Sequence, residues 1–373
     1  MKVCIIGWYG TETLGDRAIL DGIFLILDDI FLDYQVYLGS LYPFFTERTL
    51  YEDKELLEKH NIKSNIILFD ERSKKELDNA LDKSDIVLMG GGPLMDVREL
   101  FLMKKAFKYA KKKRKRTILF GCGVGPLNDS IYINCFKEIV KNTDLCIFRD
   151  VFSKEECVRL TARKEECYVL ADPAILSICN YKKSRNTEKN NSLVINMREV
   201  TVEYGENTVF VEKYLKKIIT DAQNQYEKIT LMPMHSFFIG GDDRVFLSKL
   251  CNGSDMKNIC IISKPFGLVD LYKEYMNAEA CIGMRYHSVV MQTILNGNNV
   301  VLDYTDSRKG KIIGFLENLN TDFYKKRYIN LPQMTKIDTD VLYEELKTKK
   351  EYNYQVNDEK IISEYKRLIM RLI

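Results

Sequence analysis

Short runs of Val, Ile, Leu and Phe alternate along the chain with longer stretches in which apolar residues recur every three to four positions. Consecutive apolar positions fit strands covered on both faces, and the longer period fits amphipathic helices packed against them. In the first half, KVCIIG, YQVYLG, SNIILF, DIVLMG, TILFGC, DLCIFR and CYVLAD predict strands. Helices are expected around residues 15–30, 47–60, 73–83, 95–114, 131–142 and 153–163. The polar, Asn-rich stretch NYKKSRNTEKNNS, residues 180–192, has no hydrophobic period and reads as a linker. Beyond it the strand pattern restarts with SLVINM, KITLMPM, NICIISK, EACIGM and NVVLDY, each followed by a helical stretch, and DEKIISEYKRLIMRLI closes the chain as a helix.

This alternation predicts an α/β protein with two Rossmann-like domains, residues 1–180 and 190–350, their parallel sheets facing across a cleft. Residues 351–373 form a terminal helix that is free to cross back to the first domain. A length of 373 residues agrees with two cores. In open parallel sheets ligands bind outside the carboxyl ends of the strands, so those ends are where chemistry is to be sought.

The first strand runs into GWYGTETLGDRAIL, a glycine-containing turn (Gly7, Gly10, Gly15) before a helix that starts near Asp16. Free N–H groups there suit a phosphate or carboxylate, although neither the dinucleotide nor the P-loop spacing is present. The fourth strand ends in Gly90, Gly91 and Gly92, with Pro93 as a candidate first helical residue; glycines there admit a ligand or a neighbouring backbone. The fifth ends in GCGVGPL and the sixth in FRDVFS, where Asp150 or Ser153 suits a helix cap and Arg149 needs an anion. Asp172 follows the seventh. In the second half the strand ends carry Arg198, His235, Arg285 and His287, and the loop TDSRKGK adds Arg308 and Lys309. Asp242 and Asp243 read as helix caps. Together these residues predict an electropositive cleft for a small phosphorylated or carboxylated substrate.

A formal net charge of +3 excludes a polyelectrolyte partner as the default, and no nucleic-acid module is present. Ten scattered cysteines without a C-x-x-C pair read as buried thiols of a reducing, cytoplasmic compartment, with no metal site. No signal peptide or membrane span is expected. The basic run KKAFKYAKKKRKR, residues 104–116, reads either as a solvated helix end or as peripheral contact with an anionic membrane. His60, in LLEKHNIKSN, reads as a solvated helix end.

Taken in order, GWYGTETLGD, DIVLMGGGPLMD, GCGVGPL, FRDVFS, ADPAI, GMRYHS and the later glycine-lysine loop make the chain resemble the polysaccharide pyruvyltransferase family over about residues 1–320. The resemblance implies a GT-B-type arrangement of the two domains and transfer of a pyruvyl group from phosphoenolpyruvate, as co-substrate and without a cofactor, to a sugar of a surface polysaccharide or glycan precursor. That acceptor is either polyprenyl-diphosphate-linked or a nucleotide sugar. It implies His287 as proton donor, with Arg285 and Arg149 on the anionic ends of the donor and Arg308 or Lys309 completing the clamp. Gly10, Gly90, Gly91, Gly92, Asp16, Asp172, Arg198 and His235 are the remaining substrate-binding candidates, with Asp16 or Asp172 as base. Thr13, Arg17 and Cys122 stand where family members commonly carry asparagine, an acid and glutamine. A glycosyltransferase using a nucleotide sugar and an inactive, ligand-binding family member are the rival readings.

Overall fold

A computed structural model of the chain describes residues 1–62, 66–92, 94–201, 207–237, 241–253, 257–305, 310–319 and 321–373. It divides the chain into two compact units, Met1–Ser177 with Asn357–Ile373, and Ile178–Val356.

The first unit opens with β1 (Lys2–Ile6), α1 (Leu14–Ile30), β2 (Gln35–Ser40), α2 (Pro43–Glu52), α3 (Lys54–Leu57) and β3 (Ile67–Asp70). It continues through α4 (Lys74–Lys83), β4 (Ile86–Met89), α5 (Leu100–Lys112), β5 (Arg116–Cys122) and α6 (Ser130–Lys141). Then come β6 (Leu145–Phe148), α7 (Val151–Thr161), β7 (Cys167–Val169) and α8 (Ala174–Lys183). The second unit holds β8 (Asn190–Ile195), α9 (Thr208–Ala222), β9 (Lys228–Leu231), α10 (Asp243–Cys251), β10 (Ile259–Ile261) and α11 (Leu268–Asn277). It ends with β11 (Ala278–Gly283), α12 (Tyr286–Leu295), β12 (Asn299–Asp303), α13 (Lys311–Leu316), α14 (Thr321–Tyr324), β13 (Tyr328–Asn330) and α15 (Asp340–Lys347). The last helix, α16 (Asp358–Met370), belongs to the first unit.

Both sheets are wholly parallel and doubly wound, in the orders β3-β2-β1-β4-β5-β6-β7 and β10-β9-β8-β11-β12-β13. In each, the chain starts in the middle, winds to one edge and returns to wind to the other. The switch points lie between β1 and β4 and between β8 and β11, where diverging connections leave a crevice at the carboxyl ends. Strand residues such as Val3–Ile6, Ile86–Met89 and Cys281–Gly283 are buried on both faces, which is why these runs carry no polar alternation.

Helices contribute one apolar stripe each. On α5, Leu100, Met103, Ala106, Phe107 and Ala110 are buried at helical spacing. The terminal helix α16 is anchored by Tyr365, whose ring stacks on Phe120 at 4.9 Å and whose hydroxyl donates to the Ala171 carbonyl at 2.9 Å. Fully burying one such side chain contributes roughly 1.5–3 kcal/mol.

Several expectations change. The boundary between the units falls inside α8, and the stretch 180–192 is shared between the end of that helix and the start of β8, so only its middle is a linker. The helix expected from residue 95 begins at Leu100, well past Gly90–Gly92. His60 is not solvated: its side chain is 3% exposed, bridging Asp21 at 3.0 Å and Asp28 at 2.6 Å beside the Phe24 ring. Asp21 and Asp28 are seven residues apart and share one face of α1. The polarity of LLEKHNIKSN alone does not reveal that this segment folds back onto them.

Candidate functional site

In the first unit the carboxyl ends of β1 and β4 converge at the switch point. A Cβ placed on Gly7 would lie 2.2 Å from the Gly90 carbonyl oxygen, so only glycine permits the two turns to touch. Gly91 and Gly92 have φ of +82° and +76°, the left-handed region that glycine enters without strain. The N–H of Gly92 donates to the Asp16 carboxylate, which sits buried in the first turn of α1. The expected anion site is therefore already occupied by the protein's own carboxylate. A small pocket beside this turn is lined by Gly7, Trp8, Gly91, Gly92, Leu100 and Met103, among others. Its lining is mostly apolar, with Glu99 as the charged side chain.

Gly10 serves packing: at φ +79°, its Cβ would fall 2.4 Å from Ser40 Oγ. Arg149 and Asp172 come together, but as a buried pair, with Arg149 Nη1 donating to Asp172 Oδ2 at 3.1 Å and the guanidinium lying under Gly123. Asp172 also accepts the Ala174 N–H at 3.0 Å, which commits both its oxygens to structure. Arg149 does meet an anion, yet that anion is Asp172, with Asp150 at 3.8 Å.

The three positions that depart from the family pattern have local partners. Thr13 precedes α1 and shares a 3.0 Å hydrogen bond with Thr11. Arg17 reaches Glu52 at 3.0 Å and Asp53 at 2.6 Å, tying α1 to the end of α2, while Arg48 joins Glu12 and Glu52 in the same network. Cys122 is buried with Sγ 3.2 Å from the Met89 carbonyl, and burial pushes its thiol up to about 12.

In the second unit β8 and β11 end side by side at the switch point. Asn196, directly after β8, accepts the Arg285 N–H at 2.9 Å and donates to the Met232 carbonyl at 2.9 Å, joining three strand ends. Arg285 is the residue before α12, and its Nε and Nη2 grip Asp243, with Nε–Oδ2 at 2.7 Å. Asp243 Oδ2 also accepts the N–H groups of Met234 and His235, at 3.0 and 3.1 Å. Nη1 of Arg285 has no hydrogen-bond partner among the described residues and is available to a ligand.

His287 lies half-buried in the first turn of α12, its ring edge-on to Tyr286 at 4.8 Å. The free N–H groups of that first turn favour a negative group beside it. Arg198 follows β8, donates to the Tyr304 hydroxyl at 3.3 Å and covers its ring at 4.8 Å. Its backbone N–H points to Met284 Sδ at 3.3 Å, so Arg198 too stands at the β8–β11 junction. Arg308 and Lys309 lie outside the described residues.

Four residues of this architecture escape the sequence reading. Asn196 and Asp243 organise the second switch point; Tyr9 and Glu71 are buried at the first. A polar residue directly after an apolar run, as in LVIN, was the available signal for Asn196. Asp243 was legible only as a cap, a role that its neighbour Asp242 performs by accepting the Arg244 N–H. Among the described residues, no cluster of three or more His, Cys, Asp or Glu suits a metal ion, and no helix is long and apolar enough to cross a membrane.

Two doubly wound parallel α/β units define the fold class of the GT-B nucleotide-sugar enzymes. A UDP-GlcNAc 2-epimerase from Methanocaldococcus jannaschii, solved with UDP-GlcNAc and UDP, matches with a TM-score of 0.60 at 13% identity over 100% of both chains. The putative UDP-N-acetylglucosamine 2-epimerase of Listeria monocytogenes matches at 0.60 and 15% over 98% of this chain and 94% of its own. Anabaena HepE, solved with UDP and glucose, matches at 0.56 and 11% over 100% of both. At these identities the likeness is one of fold. Comparison with curated proteins gives no match. The family model described as Polysaccharide pyruvyl transferase matches residues 14–307, and the chain belongs to that family.

Proposed function

We propose that this protein transfers a pyruvyl group from phosphoenolpyruvate to a sugar of a surface polysaccharide or glycan precursor, closing a cyclic ketal. Family membership supports the reaction class. The observation that carries the residue assignment is the β8–β11 switch point, where Asp243 and Asn196 fix Arg285 two residues before His287.

In this reading the second unit takes the donor. Arg285, through Nη1, and the amino terminus of α12 bind its phosphate and carboxylate, with Arg198 and the Arg308–Lys309 loop as further cationic partners. His287 protonates the methylene carbon of the enol, histidine being suited to proton transfer near neutral pH. The carbon bearing the phosphate becomes electrophilic and one sugar hydroxyl adds to it. A second hydroxyl then displaces phosphate and the ketal closes, each hydroxyl releasing its proton to a base.

The first unit takes the acceptor. Its glycine turn already holds the Asp16 carboxylate, which suits hydroxyl groups and makes Asp16 the base. Arg149 and Asp172 act as a buried support under the Gly121–Gly125 turn.

The basic run ends α5, at the opposite edge of the sheet from the glycine turns, because a helix following a parallel strand runs antiparallel to it. Lys111 and Lys113 are paired with Asp144 and Asp82; Leu100, Met103, Ala106, Phe107 and Ala110 of α5 face the core, while Phe101 is exposed beside Lys104. Any contact of this basic run with an anionic membrane would be mainly electrostatic. A polyprenyl-linked acceptor is part of the proposal, as is a cytoplasmic location beside the membrane.

The UDP complexes of the structural neighbours favour a second reading, a glycosyltransferase that uses a nucleotide sugar. Thermal shift separates the two: stabilisation by phosphoenolpyruvate and none by UDP- or GDP-sugars supports pyruvyl transfer, and the reverse overturns it. Mass spectrometry of lipid-linked and nucleotide-sugar acceptors incubated with phosphoenolpyruvate then looks for the added pyruvyl mass.

A further inference from the structure

Glu71 has no part in the function proposed above, yet it sits at the heart of the first switch point. It follows β3, is 1% exposed, and its Oε1 accepts the Gly7 N–H at 3.1 Å. Its Oε2 is buried with no hydrogen-bond partner among the described residues. The fold makes room for the carboxyl by placing Gly39 of β2 against it, where any Cβ would fall 2.4 Å from Oε1.

Among the described residues, the groups facing Glu71 supply no positive charge. From β1 comes the Cys4 thiol, from the turn after β1 the buried Tyr9 hydroxyl, and from its own strand end Asp70. Arg72, the nearest cation in sequence, is committed to Asp70 at 3.1 Å and to the Tyr42 ring at 4.4 Å. An ionised carboxylate in this slot, with one hydrogen bond and no counter-ion, would bear most of its desolvation cost uncompensated.

We propose that Glu71 is a positioning residue that holds the Gly7–Trp8 turn in place as a neutral carboxylic acid, and that its ionisation releases the turn. The consequence reaches the pocket directly. Gly7 and Trp8 line it, and Gly7 rests on the Gly90 carbonyl, so a shift at Gly7 moves the β4 turn that carries Gly91 and Gly92. Burial, with a smaller push from Asp70 and partly opposed by the Gly7 hydrogen bond, lifts the Glu71 carboxyl to about 8. The switch therefore falls just above neutral pH.

Trp8 is the only tryptophan of the chain, so its emission reads the turn without any assumption about substrate. In the full-length protein, emission and acrylamide quenching followed from pH 6 to pH 9.5 should show one transition with a midpoint near 8, at constant far-ultraviolet circular dichroism. Glu71→Gln keeps an acceptor for Gly7 and cannot ionise; it should hold the low-pH emission throughout. Glu71→Leu removes the acceptor and should show displaced emission at every pH. A flat wild-type profile, or the same transition in Glu71→Gln, overturns the proposal, and so does wild-type emission in a folded Glu71→Leu protein. None of these readings depends on pyruvyl transfer, so failure of either idea leaves the other standing.

Discussion

Asp243 grips Arg285 through two oxygens, Nε–Oδ2 at 2.7 Å and Nη2–Oδ1 at 2.6 Å, while the same carboxylate receives the backbone N–H groups of Met234 and His235. One side chain thus joins the end of β9, the start of α10 and the residue that precedes α12. Because Asp243 is 2% exposed, removing it strands a cation and two buried donors. Asp243→Ala is expected to lower stability by about 3–5 kcal/mol, measured by urea unfolding. Asp243→Asn, which retains an acceptor, should fall between that variant and the wild type.

His287 is half-buried and packs edge-on against Tyr286, so its removal leaves the core intact. If it delivers the proton, His287→Ala loses on the order of 10²–10⁴ in rate with the unfolding midpoint nearly unchanged. Phosphate release from phosphoenolpyruvate plus acceptor is the assay. Near-wild-type release by the folded variant would remove His287 from the mechanism.

His60 makes stability depend on pH. Burial lowers its affinity for a proton, but the hydrogen bonds that the protonated ring donates to Asp21 and Asp28 outweigh it and raise the ring from 6.5 to about 9. A raised histidine stabilises fully below about pH 6.5, and that contribution, on the order of 3 kcal/mol, is lost as pH rises through about 9. Glu71 acts in the same direction at lower pH, since a carboxyl raised from 4.5 to about 8 loses stability over that interval. Urea unfolding across pH 6–10 should therefore show a decline that levels off above about pH 9, and His60→Gln should flatten its portion between pH 8 and pH 9.

Gly92 combines a φ of +76° with a neighbour that a side chain would strike, Trp8 Cβ, at 2.6 Å. Gly92→Ala is expected to cost about 1–3 kcal/mol and to displace Trp8, seen as a shift in tryptophan emission. Unchanged emission and stability would mean that the turn yields freely.

Of the ten cysteines only Cys260, on β10, is exposed. Alkylation of the native protein followed by peptide mass spectrometry should label Cys260 rapidly and the other nine only on unfolding. Rapid labelling of Cys122 would show that the β5 turn opens.

Legibility followed the range of the interactions. KVCIIG, DIVLMG and EACIGM announce buried parallel strands because both faces of such strands need apolar residues, whatever their neighbours. β13 was missed because three half-buried residues at the edge of the sheet carry no such signature. The argument that an arginine at a strand end must meet an anion holds at Arg149, but whether that anion is a substrate or Asp172, twenty-three residues later in the chain, is a question of distance in space.

The sequence by itself determined every strand but β13, the tandem α/β plan, the glycine turns and the family, because these rest on local patterning and on motifs in a fixed order. Only the tertiary structure decided which charges are already spent. Asp16 fills the Gly92 turn, Asp172 neutralises Arg149, Asp243 holds one edge of Arg285, and Asp21 with Asp28 captures His60. Each pairing joins residues far apart in the chain across a few ångströms of buried space. That is where ionic partners are chosen, because desolvation makes an unpaired charge too costly to leave alone.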